Sequence, residues 1–224
     1  DQRIQSIMVT GPGQGDGKTT TSSNLALAMA RAGQDTLLVD ADLRRPQLHK
    51  YFDVDRSPGL TEALYDESIL EEPGVMDTNV DDLSVLTAGG EIPNPSELLG
   101  SQRTGNLIER LEGAFDVVIV DTTPLLLFSD PVSVVRHTDG ALVVTEANAA
   151  DRSAVEEALS LLQDVGVEPV GTILNQFSPE RASSYGYGYG YGYGYGYQYR
   201  YGSVQEYYEK ESDSSGGPFA FLRG

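Results

Sequence analysis

Short apolar runs alternate with longer segments of helical pattern over the first 177 residues. Most of these runs are aliphatic and bounded by Gly, Asp or Asn, a pattern that predicts buried strands. The predicted strands are Ile4–Val9, Thr36–Val39, Ser84–Ala88, Asp116–Val120, Ala141–Thr145 and Val170–Leu174. The predicted helices are Asn24–Ala32, two short segments around Thr61–Tyr65, Ser101–Glu112 and Arg152–Val165. Because strands and helices alternate, the sequence predicts an α/β fold with a parallel sheet flanked by helices.

The composition changes abruptly at Ser178. From Tyr185 the chain alternates Tyr and Gly, and eleven of its 13 tyrosines lie within residues 185–208. Alternate glycines impose a large backbone entropy cost, and nothing aliphatic in this run offsets it. The sequence therefore predicts a globular domain over residues 1–177 and a disordered tail over residues 178–224. So many phenol groups on a flexible strip favour a substrate, an adhesive segment, or both.

Composition narrows the possible partners. The formal net charge of the 224-residue chain is −19 at pH 7, and such an acidic protein disfavours nucleic acid and anionic lipid as partners. Cysteine is absent, which excludes disulfides and thiolate metal sites. No apolar run approaches the ~20 residues that span a bilayer. The first residue is Asp1 and not Met, so we expect a piece of a longer polypeptide.

A glycine-rich segment, Gly11–Thr20, lies between the first predicted strand and the first predicted helix. A phosphate-binding loop needs this position, because glycines let backbone N–H groups close on a phosphate and the helix N-terminus adds partial positive charge. Lys18 is expected to reach the β- and γ-phosphate oxygens, and the Thr19 hydroxyl to ligate Mg²⁺. The expected nucleotide-contacting residues of this loop are Gly13, Gly15, Asp16, Gly17, Lys18, Thr19 and Thr20.

Aspartates follow two further apolar strands. Asp40 and Asp42 come directly after Thr36–Val39, and Asp121 comes directly after Asp116–Val120. Open α/β sheets bind ligands at the carboxyl ends of their strands, so we expect these side chains to lie beside the phosphate loop. Three carboxylates in that place suit a hard cation with oxygen ligands.

These motifs resemble, in the same order, those of the bacterial tyrosine kinase family. The shared features are a Walker A loop, a Walker A′ motif of an apolar run with Asp40-x-Asp42-x-Arg44, a Walker B strand ending at Asp121, and a C-terminal tyrosine cluster. The Asp-x-Asp-x-Arg pattern separates this family from its relatives. Further matching segments are Asn24-Leu25-Ala26, Pro93 to Leu99 and Gly171 to Asn175.

The resemblance implies an ATP- and Mg²⁺-dependent protein tyrosine kinase that phosphorylates its own tail. It implies catalytic roles for Lys18, Asp40, Asp42 and Asp121, with Thr19, Asp42 and Asp121 around Mg²⁺. Asp40 is the candidate for orienting or deprotonating the acceptor tyrosine, and the division of roles between Asp40 and Asp42 stays open. The expected phosphorylation sites are Tyr185, Tyr187, Tyr189, Tyr191, Tyr193, Tyr195, Tyr197, Tyr199, Tyr201, Tyr207 and Tyr208.

Two residues outside the loop are also expected at the nucleotide. Arg44 is expected to contact phosphates or a neighbouring subunit. Asn175, at the end of the last predicted strand, is expected to lie near the adenine or to form a turn.

The resemblance also implies partners and a location. It implies a homo-oligomeric ring, an octamer, in which tails are phosphorylated in trans. It further implies a transmembrane activator or co-polymerase, either fused upstream or separate, and no nucleic acid partner. The expected location is the cytoplasmic face of the plasma membrane, where the protein would serve capsular or extracellular polysaccharide synthesis and export.

Two other functions stay open. The first is an ATPase of the deviant Walker A group, such as the septum-site or chromosome-partition proteins. Those proteins carry a signature lysine early in the phosphate loop, where this chain has Gly11-Pro12-Gly13, and they lack a tyrosine tail. The second is a nucleotide-gated assembly module without kinase activity, whose tail would act as an adhesive. The intact set of Lys18 and the three aspartates argues against it.

Overall fold

The computed structural model describes residues 4–70, 74–147 and 151–177. The strands of this part of the chain are β1 (Ser6–Thr10), β2 (Thr36–Asp40), β3 (Val75–Asp77), β4 (Leu83–Leu86), β5 (Val117–Asp121), β6 (Gly140–Glu146) and β7 (Pro169–Asn175). Its α-helices are α1 (Lys18–Arg31), α2 (Leu48–Phe52), α3 (Leu60–Ala63), α4 (Pro95–Leu99), α5 (Gln102–Ala114), α6 (Asp130–Val135) and α7 (Arg152–Asp164), and Glu67–Leu70 forms a 3-10 helix.

The strands form one seven-stranded sheet in the order β3-β4-β2-β5-β1-β6-β7. All neighbours pair in parallel except β3 and β4, which are antiparallel. All five residues of β2 and of β5 are buried, as the continuous apolar runs of central parallel strands require. The predicted α/β fold is therefore confirmed.

The core lies in two layers, one on each face of the sheet. Successive residues of a strand point to opposite faces, so Val118 and Val120 of β5 belong to one layer and Ile119 to the other. The Val118 layer includes residues of α5, α6 and α7, and the Ile119 layer includes residues of α1 and α2. Two-sided packing fixes the strand ends, and with them the loops that follow β1, β2 and β5.

Strand register brings the expected site residues to one edge. Asp40, the last residue of β2, pairs with Asp121, the last residue of β5. Asp121 also pairs with Val9 of β1, and the glycine-rich loop begins two residues after Val9. The carboxyl ends of β1, β2 and β5 therefore place the loop and both aspartates next to one another.

Several elements differ from the sequence prediction. Helix α1 begins at Lys18, six residues before the predicted start at Asn24. The prediction began at the first apolar residues, but the polar residues that follow Gly17 are also helical. The antiparallel edge strand β3 and the short helices α2, α4 and α6 were not predicted. Residues from Ser178 onward lie outside the described residues, so the boundary there stays a prediction. No helix among the described residues is long and apolar enough to cross a membrane.

We expect Ile119→Ala to lower the free energy of unfolding by about 2–5 kcal/mol, because it opens a cavity in the centre of the sheet. Ile119 is fully buried. Leu174→Ala is the matched control, since Leu174 is 59% exposed on β7, and it should change the value by less than about 0.5 kcal/mol. Urea unfolding of both variants measures the difference. Equal losses would contradict the described sheet.

Candidate active site

The glycine-rich loop is shaped by left-handed backbone and by internal hydrogen bonds. Gly15 and Gly17 have φ of 85° and 87°, a conformation that favours glycine. The Asp16 carboxylate accepts a hydrogen bond from the Gly13 amide at 2.7 Å, and the Lys18 ammonium donates to the Gly13 carbonyl at 2.9 Å. Lys18 is the first residue of α1, so the loop amides and a helix N-terminus converge as a phosphate site requires.

The far side of the loop rests on the ends of β6 and β7. The Asn175 side-chain amide donates to the Asp16 carbonyl at 3.0 Å, and that of Gln176 donates to the Gly15 carbonyl at 2.8 Å. Asn175 therefore supports the loop backbone, a contact that the sequence did not predict. The sequence did not predict the contact of Gln176 either, because no local sequence pattern identifies the partner of a loop more than 150 positions away.

Thr19 and Asp121 meet in front of the loop. The Thr19 hydroxyl donates to Asp121 Oδ2 at 2.7 Å, and Asp121 is only 1% exposed. Burial raises the pKa of Asp121 to about 7, which the Thr19 hydrogen bond and the nearby Lys18 charge partly oppose. Burial lowers the pKa of Lys18, against which the charges of Asp16, Asp121 and Asp42 act. The structure thus brings Lys18, Thr19 and Asp121 together beside the glycine-rich loop, and their roles stay predictions.

Asp40 is fully buried beside this cluster. Its Oδ2 atom accepts hydrogen bonds from the backbone amides of Gln47 and Leu48 at 3.1 and 3.0 Å. Burial raises the pKa of Asp40 well above its ordinary value, and the charges of Asp121 and Asp42 raise it further. Asp40 therefore organises the loop between β2 and α2 from its inner side.

Two carboxylate oxygens at this edge have no hydrogen-bond partner among the described residues. They are Oδ1 of Asp40 and Oδ1 of Asp121, and both are buried. Buried polar atoms in native proteins are usually satisfied, so this pair fits a cation. Within the described residues, no group of three or more His, Cys, Asp or Glu side chains could hold a metal ion. Mg²⁺ suits such a place, since it usually binds one or two carboxylates together with substrate phosphates.

Asp42 lies at the outer side of the same cluster. It is 8% exposed, and its Oδ1 atom accepts a hydrogen bond from the Arg45 amide at 2.8 Å. The bond closes a tight turn between Asp42 and Arg45. Asp42 is therefore nearer the solvent than Asp40 while belonging to the same charge cluster as Lys18.

The guanidinium of Arg44 binds the carboxylate of Asp130 at two points. Its Nε atom lies 2.6 Å from Oδ2 of Asp130, and its Nη2 atom lies 3.0 Å from Oδ1. The side chain of Asp130 is fully buried. The guanidinium of Arg44 is thus engaged by a carboxylate 86 positions along the chain, and its expected phosphate contact stays a prediction. No local sequence signal marks Asp130 as that partner.

The remaining expected residues divide into two groups. Thr20 hydrogen-bonds the Tyr51 hydroxyl, whose pKa is raised by burial, so it faces α2. The expected phosphorylation sites, Tyr185 to Tyr208, lie outside the described residues.

Comparison with known proteins agrees with this geometry. The CobQ/CobB/MinD/ParA nucleotide binding domain family matches residues 7–186. The tyrosine-protein kinase ptk of Acinetobacter johnsonii is 41% identical over 176 residues, which are 79% of this chain and 24% of that protein. The tyrosine-protein kinase YwqD of Bacillus subtilis strain 168 is 36% identical over 186 residues, which are 83% of this chain and 78% of that protein. The chain thus spans about a quarter of ptk but most of YwqD.

A solved structure extends the similarity to three dimensions. The kinase domain of the Escherichia coli tyrosine kinase ETK has a TM-score of 0.76 and 36% sequence identity. The match covers 84% of this chain and 73% of that one. Sequence and structure comparisons therefore point to the same group of proteins.

We expect Gly17→Ala to weaken nucleotide binding by about tenfold or more, which corresponds to about 1.4 kcal/mol. The left-handed backbone at Gly17 is strained for alanine, and the new Cβ would lie 2.1 Å from Nδ2 of Asn175. Gly33→Ala is the matched control, since Gly33 has φ of 79° with nothing within 4 Å of the added Cβ.

Titration with a fluorescent ADP analogue measures the effect. The control should lose stability but keep its nucleotide affinity. Equal affinities in the two variants would contradict a role of this loop in binding phosphate.

Proposed function

We propose that this chain, which belongs to the bacterial tyrosine kinase family, transfers the γ-phosphoryl group of ATP to a tyrosine hydroxyl. The transfer would take place at the carboxyl edge of β1, β2 and β5. One observation carries the proposal, the convergence of Lys18, Thr19 and Asp121 in front of a loop of phosphate-binding shape. Such transfer needs positioning and charge neutralisation more than covalent help from the protein.

Lys18 and the loop amides bind the phosphates of ATP in this proposal. The ammonium exchanges the Gly13 carbonyl for phosphate oxygens, and the partial positive charge at the start of α1 adds to its effect. Its lowered pKa rises again beside phosphate, because a neighbouring negative charge favours the protonated form. Lys18 thus neutralises charge on the transferring group.

Thr19 and Asp121 would hold Mg²⁺, and the free Oδ1 atoms of Asp40 and Asp121 support that assignment. When bound, the ion neutralises charge on the β- and γ-phosphates. The negative field of the buried aspartates supplies the electrostatic attraction for it. The expected contact of Asp42 with the ion stays a prediction.

Asp42 is our candidate for the group that accepts the tyrosine proton. The sequence favoured Asp40, but Asp40 is fully buried and held by two backbone amides, whereas Asp42 keeps 8% of its surface exposed. Tyrosine has an ordinary pKa of about 10, so a nearby carboxylate assists its deprotonation. The tyrosine oxygen then forms a bond to the γ-phosphorus, the bond to the β–γ bridging oxygen breaks, and ADP leaves.

The tail over residues 178–224 is the proposed substrate, and residues 1–177 the catalytic domain. No tyrosine in the Tyr-Gly repeat has a distinctive flanking sequence, so recognition rests on tethering and on the number of tyrosines. Each phosphate adds about −1.5 to −2 in charge, so eleven would add roughly −17 to −22. That rivals the −19 of the whole chain.

Partners and location follow from the family resemblance alone. We propose a homo-oligomeric ring in which tails reach neighbouring sites, and a transmembrane activator that is fused upstream or separate. The domain would then act at the cytoplasmic face of the plasma membrane, in capsular or extracellular polysaccharide synthesis and export. A deviant Walker A ATPase and an idle assembly module are less well supported, since the relatives at 36–41% identity are named as tyrosine-protein kinases.

We expect Asp42→Asn to lower kcat for tyrosine phosphorylation by about 100-fold or more, the range of a lost general base. Its ADP affinity should change by less than about threefold, because the phosphate loop is intact. The control is Asp164→Asn, an exposed acid on α7, which should behave as wild type. The assay is incubation with labelled ATP and Mg²⁺ followed by phosphopeptide mapping.

The same assay separates the rival functions. Release of phosphate without phosphotyrosine in the wild-type chain would indicate a partition-type ATPase, and neither product would indicate the idle module. Full activity of Asp42→Asn would refute its proposed role in proton transfer.

We expect ATP and Mg²⁺ to shift the wild-type chain from a larger to a smaller assembly, because accumulated phosphates on the tails repel one another. Size-exclusion chromatography before and after treatment measures this. Lys18→Met is the control and should keep the larger assembly, since it cannot phosphorylate. An unchanged assembly in the wild type, or a full shift that persists when Tyr185 to Tyr201 become phenylalanine, would rule out the switch.

A further inference from the structure

We propose that Asp130 is a positioning residue for phosphoryl transfer. Through Arg44 it holds the segment that carries Asp42 against the segment that follows Asp121. The inference rests on the proposed function, because its effect is on where Asp42 stands when the tyrosine reacts.

The contact between Arg44 and Asp130 is a two-point ion pair whose carboxylate is fully buried and whose arginine side chain is 22% exposed. The distances are 2.6 Å from Nε to Oδ2 and 3.0 Å from Nη2 to Oδ1, and the Asp130 side chain has no exposed surface. The Arg44 guanidinium carbon also lies 4.5 Å from the centre of the Phe128 ring. A planar guanidinium fork bound at two points fixes direction as well as distance.

Serine hydroxyls complete the site around Asp130. Ser96 donates a hydrogen bond to Oδ1 of Asp130, and Ser129 donates to the Ser96 hydroxyl at 2.9 Å. Ser96 belongs to α4, in the Pro-Asn-Pro-Ser segment. The pair therefore joins three segments, those around Arg44, α4 and the start of α6.

Two of these segments leave the strands that carry the aspartates of the site. Arg44 lies two residues after Asp42. The Asp42 carboxylate accepts a hydrogen bond from the backbone amide of Arg45. Asp130 follows the loop that leaves Asp121. Asp40 holds the first segment from inside through two amides, and Asp130 holds it from outside. The two anchors together bracket the segment that carries Asp42.

Arg44 is a poor candidate for a phosphate ligand for the same reason. If its guanidinium turned toward the nucleotide, Asp130 would become a buried carboxylate without its cation, which is strongly unfavourable. In this proposal Arg44, the arginine of the Asp-x-Asp-x-Arg pattern, positions the residues of the site and does not bind phosphate.

The test compares Asp130→Asn with wild type in the full chain, using a synthetic peptide of residues 185–201 as substrate. We expect kcat to fall by about tenfold or more, since displacements of about 1 Å can cost 100-fold. The KM for ATP and the affinity for ADP should change by less than about threefold. Glu156→Gln is the matched control, because it neutralises the acid of the exposed pair with Arg152, at 2.8 Å, and it should leave all values unchanged.

Two further variants separate positioning from simple support of the fold. Buried ion pairs can often be replaced by apolar residues without loss of stability. The double variant Arg44→Met, Asp130→Leu should therefore melt near the wild-type temperature, but its kcat should be lower than that of the wild type. Arg44→Lys retains the charge but not the fork, and should also lower kcat at unchanged ADP affinity. Wild-type kcat in Arg44→Lys, in Asp130→Asn or in a stable double variant overturns the proposal.

The wild-type chain distinguishes this failure from failure of the proposed function. If it forms no phosphotyrosine on the tail or the peptide, the kinase reaction itself is refuted. If it is active and Asp130→Asn is equally active, only the positioning role is refuted.

Discussion

Asp40 and Asp121 stand side by side at the ends of neighbouring strands, almost wholly removed from water. Burial disfavours the charged form of each, and the charge of Asp121 raises the pKa of Asp40 further. The fold compensates with two backbone amides at Asp40, a hydroxyl at Asp121 and the ammonium of Lys18. A cation bound with nucleotide would relieve the repulsion that remains. The loops around this edge can therefore be understood as the scaffold that keeps negative charge concentrated there.

Three loops surround the buried aspartates at this edge, and each is held in place in a different way. The glycine-rich loop folds on itself through Asp16 and Gly13, and its outer side is supported from β7. The segment after β2 is tied inward by Asp40 and outward by Arg44. The loop after β5 ends at Asp130, which receives that arginine. Each of these segments is thus held by a residue from another strand connection.

The sequence predicted the features that are local or periodic. Continuous apolar runs identified β2 and β5, and the glycines before Lys18 identified the phosphate loop. It did not predict the short helices α2, α4 and α6, because helices of five or six residues have too few turns to show a period. It also could not identify the partner of Arg44, 86 positions away, or the different backbone amides that Asp40 and Asp42 accept. These depend on how strand ends align, which no local pattern records.

The end of β7 has a second consequence. Gln176 and Asn175 hold the carbonyls of Gly15 and Asp16, and the chain continues to Ser178 only two residues beyond Gln176. The residues at the end of β7 are therefore attached to the backbone of the loop that would hold phosphate. A shift of either carbonyl would move Asn175 and Gln176 with it. The glycine-rich loop and the end of β7 thus share one mechanical connection.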